Sequence, residues 1–105
     1  MKGFCKMYNR LILAELHSEI EEQIRAMPNQ FTSEEFYTSL ARNNPRKYER
    51  LIARYVRRGH DRAHATQVLH AQLMHTVRDR FSHLTRKVAT IDNPKGGDMS
   101  QWVRI

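Results

Sequence analysis

Thr85-Arg86-Lys87-Val88-Ala89-Thr90-Ile91, then Asp92-Asn93-Pro94-Lys95-Gly96-Gly97-Asp98, then Met99-Ser100-Gln101-Trp102-Val103-Arg104-Ile105: the end of the chain reads in three pieces, and they decide its fold. Val88, Thr90 and Ile91 are residues that fit a pleated, half-buried surface. Met99, Gln101, Val103 and Ile105 alternate with Ser100, Trp102 and Arg104, the two-residue period of a strand. The middle piece is a dense run of turn formers. The reading is a C-terminal β-hairpin with a loop of about seven residues. Trp102, on the face opposite Val103 and Ile105, is expected to pack on the rest of the protein or across the hairpin.

Upstream the period changes to that of helices. Leu13, Leu16, Ile20, Ile24 and Met27 make one apolar stripe over Met7–Met27, and Pro28 ends it. Phe31-Thr32-Ser33-Glu34-Glu35-Phe36 is a helix start. Thr32 and Glu35 stand at the spacing of a capping box, and Phe31 and Phe36 occupy the staple positions. That second helix runs to about Asn43 and buries Phe36, Leu40 and Tyr37. Asn44 is expected to cap a third helix that has Pro45 at its first position. Its buried side is Tyr48, Leu51, Ile52, Tyr55 and Val56, and Gly59 is its left-handed stop. Asp61 caps a fourth helix to about His83, with Ala65, Leu69, Leu73, Val77, Phe81 and Leu84 along one side. The expected fold class is therefore mainly α, about four helices, with a small C-terminal β-hairpin.

The 105 residues, 40% apolar and 28% charged, suit one domain and are too few for two. Residues 1–105 are read as a single domain, with 1–9 as a flexible N-terminal segment. The single Cys5 excludes an internal disulfide and a cysteine-based zinc cage. No apolar run approaches the roughly 18 residues that span a bilayer, so no membrane partner is expected. The short, broken apolar stretch after Lys2 and Lys6 does not read as a signal peptide, and a cytoplasmic location is the expectation.

Charge is unevenly distributed. Residues 1–41 carry four cations (Lys2, Lys6, Arg10, Arg25) and six carboxylates (Glu15, Glu19, Glu21, Glu22, Glu34, Glu35). Residues 42–105 carry 14 cations and five carboxylates, more than the whole net charge of +7. A basic surplus of this kind points to a polyanionic partner.

Helices, a short extended piece at Gln30-Phe31-Thr32 and a terminal hairpin together resemble the winged helix-turn-helix class of DNA-binding domains. In that class a short strand between the first two helices pairs with the wing hairpin; Phe31-Thr32 and the strands around Val88 and Val103 stand in those places. The resemblance is architectural, covers about residues 10–105 and has no family-specific signature. The class usually has three helices before the wing, and this chain has four. The preferred helix-turn-helix pair is the third and fourth helices, joined at Arg58-Gly59-His60, because the fourth leads into the hairpin. The other pair is the second and third, joined at Asn43-Asn44-Pro45. The resemblance implies double-stranded DNA as partner.

The residues themselves agree with such a partner. Arg46, Arg50, Arg54 and Arg57 fall in one band of the third helix, where guanidinium groups repel unless an anion lies between them. They are candidate phosphate contacts, with Lys95 at the hairpin tip and Arg86 and Lys87 at its first strand. The alternative is a solvated basic face, paired in part with Glu49 or the acidic first helix. On the fourth helix His64, Gln67, Ala71, His75 and Arg78 lie opposite Leu69, with Arg62 in the first turn. Arg62, His64 and Gln67, nearest the helix N-terminus, are candidate base readers. A merely soluble face is the competing reading.

His60-Asp61-Arg62-Ala63-His64 approximates a zinc-protease motif, but Asp replaces Glu and no third ligand is marked, so no metal is assigned. His70 falls at the apolar edge and reads as a packed histidine. With no nucleophile–base set, no P-loop and no G-x-G-x-x-G, neither an enzyme nor a cofactor is expected.

The functional expectation is a small basic DNA-binding protein, a transcriptional regulator or a replication or phage-type accessory factor. The alternative is a protein-interaction module on the same scaffold, docking through the acidic first helix or the basic band. Residues 10–27 are a candidate homodimer or protein-partner surface, although the same stripe is explained more economically as core. RNA is a weaker option, since the aromatic strand motifs of common RNA modules are missing.

Overall fold

The computed structural model describes residues 2–57, 59, 61–94 and 96–105, with the backbone alone for 2–9. The elements are α1 (Lys2–Ala26), β1 (Gln30–Thr32), α2 (Ser33–Asn43), α3 (Pro45–Arg57), α4 (Arg62–Arg80), β2 (Thr85–Asp92) and β3 (Asp98–Arg104). The fold is mainly helical with one small antiparallel sheet, a layout compatible with a winged-helix-like domain.

α1 begins at Lys2 rather than Met7. Phe4, Met7 and Leu11 continue the three- and four-residue spacing, so nothing in the pattern stops the helix sooner. Its buried stripe is Ile12, Leu16, Ile20, Ile24 and Met27, with Leu13 displaced to the margin of the core. These side chains lie in the interior of the protein, so they offer no stripe for a homodimer. Buried Gln23 ties α1 to α2: its Oε1 accepts from Asn43 Nδ2 at 2.9 Å.

The start of α2 is a complete capping box. Glu35 N–H donates to Thr32 Oγ1 (3.1 Å) and Thr32 N–H to Glu35 Oε1 (2.8 Å). Phe31 and Phe36 close the staple with ring centroids 6.1 Å apart. Asn44 departs from expectation. Its Nδ2 turns back to Leu40 O at 3.1 Å, so the side chain caps the end of α2, and only its carbonyl opens α3. The backbone N–H of Asn44 donates to the same carbonyl at 3.0 Å, so both of its N–H donors close α2 rather than open α3.

α3 buries Tyr48, Leu51, Ile52 and Tyr55, whereas Val56, expected inside, is 40% exposed. Gly59 has φ +99°, a conformation open to a residue without Cβ, and its N–H returns to Val56 O. Asp61 caps α4 by accepting His64 N–H at 2.8 Å. α4 buries Ala65, Leu69, Leu73, Thr76 and Val77 and packs chiefly on α3 and α1. It ends at Arg80, short of His83. Phe81 is the C-cap and lies in the core, and Leu84 reaches the core edge from the connection beyond.

The sheet order is β1-β3-β2, all antiparallel, with Phe31 opposite Trp102 and Gln30 opposite Val103. Trp102 is 2% exposed and its indole N–H donates to Ser33 Oγ at 2.9 Å, pinning the sheet to the first turn of α2. Arg104 donates to Arg25 O and Asn29 Oδ1, placing a cation on the C-terminal end of α1. The hairpin strands extend to Asp92 and Asp98, leaving a shorter loop than expected. Gly96 and Gly97 have φ +104° and +74°, and Asn93 N–H bonds Gly97 O across the loop. A bulge between Lys87 and Ala89 leaves Val88 45% exposed on the outer strand of the hairpin. Among the described residues, no helix is long and apolar enough to cross a membrane.

Candidate nucleic-acid interface

The four arginines of α3 divide into two groups. Arg46, Arg50 and Arg57 are exposed and, among the described residues, have no carboxylate partner. Arg57 donates to Ala53 O of its own helix. With exposed Ala53 they form an i, i+4, i+7, i+11 stripe. At 1.5 Å per residue it is about 16 Å long, close to five steps of a duplex at 3.4 Å each. Pro45, Arg46, Glu49, Arg50 and Ala53 line a shallow hollow on this face. Arg54, by contrast, turns toward α1, where its Nη2 lies 3.4 Å from Glu15 Oε1. Lys47, two turns earlier on the same side of the helix, pairs with Glu19. That hydrogen bond holds the Glu19 carboxyl below its ordinary pKa, against a smaller opposing effect of desolvation.

The acidic face of α1 is therefore directed in part onto α3. Glu15 and Glu19 neutralise its inner cations, and Glu21 pairs with Arg25 one turn on. The sequence raised this pairing as one explanation of the arginine band; it accounts for Arg54 and not for the other three.

On α4 the expected polar face is exposed throughout: His64, Gln67, Ala71, His75 and Arg78 follow one another at i, i+3, i+7, i+11 and i+14. Arg78 pairs with Asp79. Arg62 is also exposed but engaged, because its Nη1 and Nη2 donate to Glu49 Oε2 and Oε1 at 2.9 and 2.5 Å. Glu49 is held below the ordinary carboxylate range by these bonds, and Arg62 is raised by the same contact. This fork joins the middle of α3 to the first turn of α4, so the arginine stripe and the start of the polar helix adjoin. Sequence spacing signals this pair only through Glu49 being the single carboxylate between Arg42 and His60.

Arg86 and Lys87 are both exposed on β2, paired across the ladder with Val103 and Trp102. Neighbouring strand residues point to opposite faces, so these two cations flank the sheet rather than share a surface. Lys95 and His60 lie outside the described residues. Asp61 of the zinc-like pattern is engaged as a helix cap. Among the described residues, no group of three or more His, Cys, Asp or Glu side chains is placed to hold a metal.

His70 packs between helices, as its position on the apolar edge suggested. Its ring stacks on Tyr37 at 3.7 Å and meets Tyr48 at 5.8 Å. Desolvation lowers its pKa from 6.5 to about 4, opposed by the nearby Glu34 charge. The Tyr48 hydroxyl is buried and has no hydrogen-bond partner among the described residues, and burial pushes its pKa up. Elsewhere a cleft of about 750 Å³ opens where Met27, Pro28, Glu34, Glu35, Arg42 and Met99 meet. Two of its polar groups are already engaged: Glu35 in the capping box and Glu34 by Asn93 Nδ2. Comparison with known protein families, with curated proteins and with solved structures gives no match.

Proposed function

We propose that this chain is a small double-stranded-DNA-binding protein of winged-helix type. α3 and α4 form its helix-turn-helix, and the β2–β3 hairpin its wing. The observation that carries the reading is the outer stripe of Arg46, Arg50 and Arg57, exposed and, among the described residues, without carboxylate partners, adjoining the exposed polar face of α4. Arginines so placed attract an extended polyanion, and their planar forks suit phosphate oxygens. In this reading the stripe grips phosphates, while Arg62, His64 and Gln67 at the start of α4 meet base edges. Arg54 leaves the set of phosphate contacts because Glu15 already occupies it.

A mobility-shift titration over rising salt tests the proposal. Log affinity should fall linearly with log salt, with a slope of at least about −2.7, the value for three neutralised phosphates. No shift of any duplex at low salt overturns it. The second reading, a protein-docking module, draws on the cleft beside Met27 and Met99, which mixes apolar and acidic lining. It draws less on α1, whose Glu15 and Glu19 are already paired. Salt-insensitive binding to a protein, with no nucleic-acid shift, selects that reading.

A further inference from the structure

The fork between Glu49 and Arg62 sets a carboxylate in the middle of a surface that otherwise collects anions. The side chains are 56% and 64% exposed, and an exposed ion pair adds little to stability. Its consequence lies in orientation. Arg62 gives one N–H from each terminal nitrogen to Glu49, an end-on fork. A guanidinium has five N–H groups in fixed geometry, so three remain. Nε–H and the terminal N–H beside it form a parallel pair, and among the described residues nothing else engages them. Such a two-donor edge matches the N7 and O6 acceptors of guanine in a major groove.

Two further observations fix where that edge stands. Asp61 caps α4, so the backbone that carries Arg62 is held at the first position of the helix. Helix N-terminal residues are those that reach base edges in helix-turn-helix docking. Glu49 sits on α3 between Arg46 and Arg50, and its negative charge disfavours a phosphate beside Arg62. A long side chain already held by two hydrogen bonds also loses less freedom on binding than a mobile one.

We propose that Glu49 is a positioning residue that holds Arg62 with its free edge outward, so that Arg62 reads the N7 and O6 of a guanine in duplex DNA. The inference rests on the DNA-binding reading above and adds to it a named base. Glu49 touches no base in this scheme; it acts through Arg62.

Selection from a randomised duplex pool, followed by affinity measurements on the selected site, tests it. The wild type should prefer guanine at one position by roughly 10- to 100-fold. Replacing that base by 7-deazaguanine, which has no N7 acceptor, should remove most of the preference. Arg62→Ala and Glu49→Gln should each abolish it, and 7-deazaguanine should then cost nothing further. Glu49→Gln should leave affinity for duplexes without that guanine equal or higher, an outcome that damage to the fold would not produce. If duplex DNA binds but Glu49→Gln keeps the guanine preference, or weakens all sequences alike, this inference fails and the DNA-binding reading stands. If no duplex binds at low salt, both fail.

Discussion

The two sides of α3 carry the same kind of residue and meet opposite fates. On the inner side Lys47 and Arg54 find Glu19 and Glu15 of α1, beside the buried rings of Tyr48 and Tyr55. On the outer side Arg46, Arg50 and Arg57 have no carboxylate among the described residues, and Glu49 is spent on Arg62 of α4. The inner cations help to assemble the protein; the outer ones are available to something else. Charge counted along a sequence does not separate these roles, whereas the packing of one helix on another does.

The largest expected effect breaks the outer side. Arg46→Ala, Arg50→Ala and Arg57→Ala together should lower duplex affinity roughly 100-fold or more at low salt and flatten the salt slope by about 2.7. Thermal stability should stay within about 0.5 kcal/mol, since these side chains touch little. Fluorescence anisotropy and calorimetry check the two halves. A triple variant that melts early but binds normally would invert the comparison.

Acid acts on the inner side, where His70 stacks on Tyr37. The folded protein holds its pKa near 4, below the 6.5 of the unfolded chain. Between those values the unfolded state binds more protons, so stability falls as pH drops from about 6.5 toward 4. The loss attributable to His70 should be on the order of 1–2 kcal/mol, because part of the ring still meets solvent. His70→Gln should remove that share of the pH dependence in urea unfolding at pH 4.5 and 7.

Tyr48 sharpens the inner side further. Its buried hydroxyl has no partner among the described residues, and an unsatisfied group of that kind costs about 1–3 kcal/mol. Tyr48→Phe should therefore stabilise the protein by about 1 kcal/mol, seen as a higher urea midpoint with an unchanged slope. The smallest effect is expected at Arg54 and Glu15. Both are partly exposed, so a double-mutant cycle should give a coupling of no more than about 1 kcal/mol, with duplex affinity nearly unchanged.

Features built within a few residues were legible in the sequence. The capping box at Thr32 and Glu35, the staple of Phe31 and Phe36, the left-handed Gly59 and the Asp61 cap depend on spacing alone. The hairpin followed from alternation and turn chemistry, and its pairing with β1 from the resemblance to winged domains. What depended on how helices cross was not legible. Ile12 takes the buried position and Leu13 only borders the core, while Val56, spaced like a core residue, is 40% exposed near the end of α3. The α4 stripe continued past Arg80 in apolar spacing, yet Phe81 and Leu84 reach the core from outside the helix. Within the candidate interface, the exposed face of α4 was readable, while the partner of each arginine was set by tertiary placement.

The lone Trp102 gives the molecule a built-in optical reporter. Its indole is enclosed and hydrogen-bonded to Ser33, so emission should sit at short wavelength while the sheet is docked on α2 and shift to the red when it releases. An indole only 2% exposed has no face to offer a nucleobase, so added DNA should leave that emission in place. One cuvette can thus follow unfolding by tryptophan colour and binding by the anisotropy of a labelled duplex, with neither signal contaminating the other.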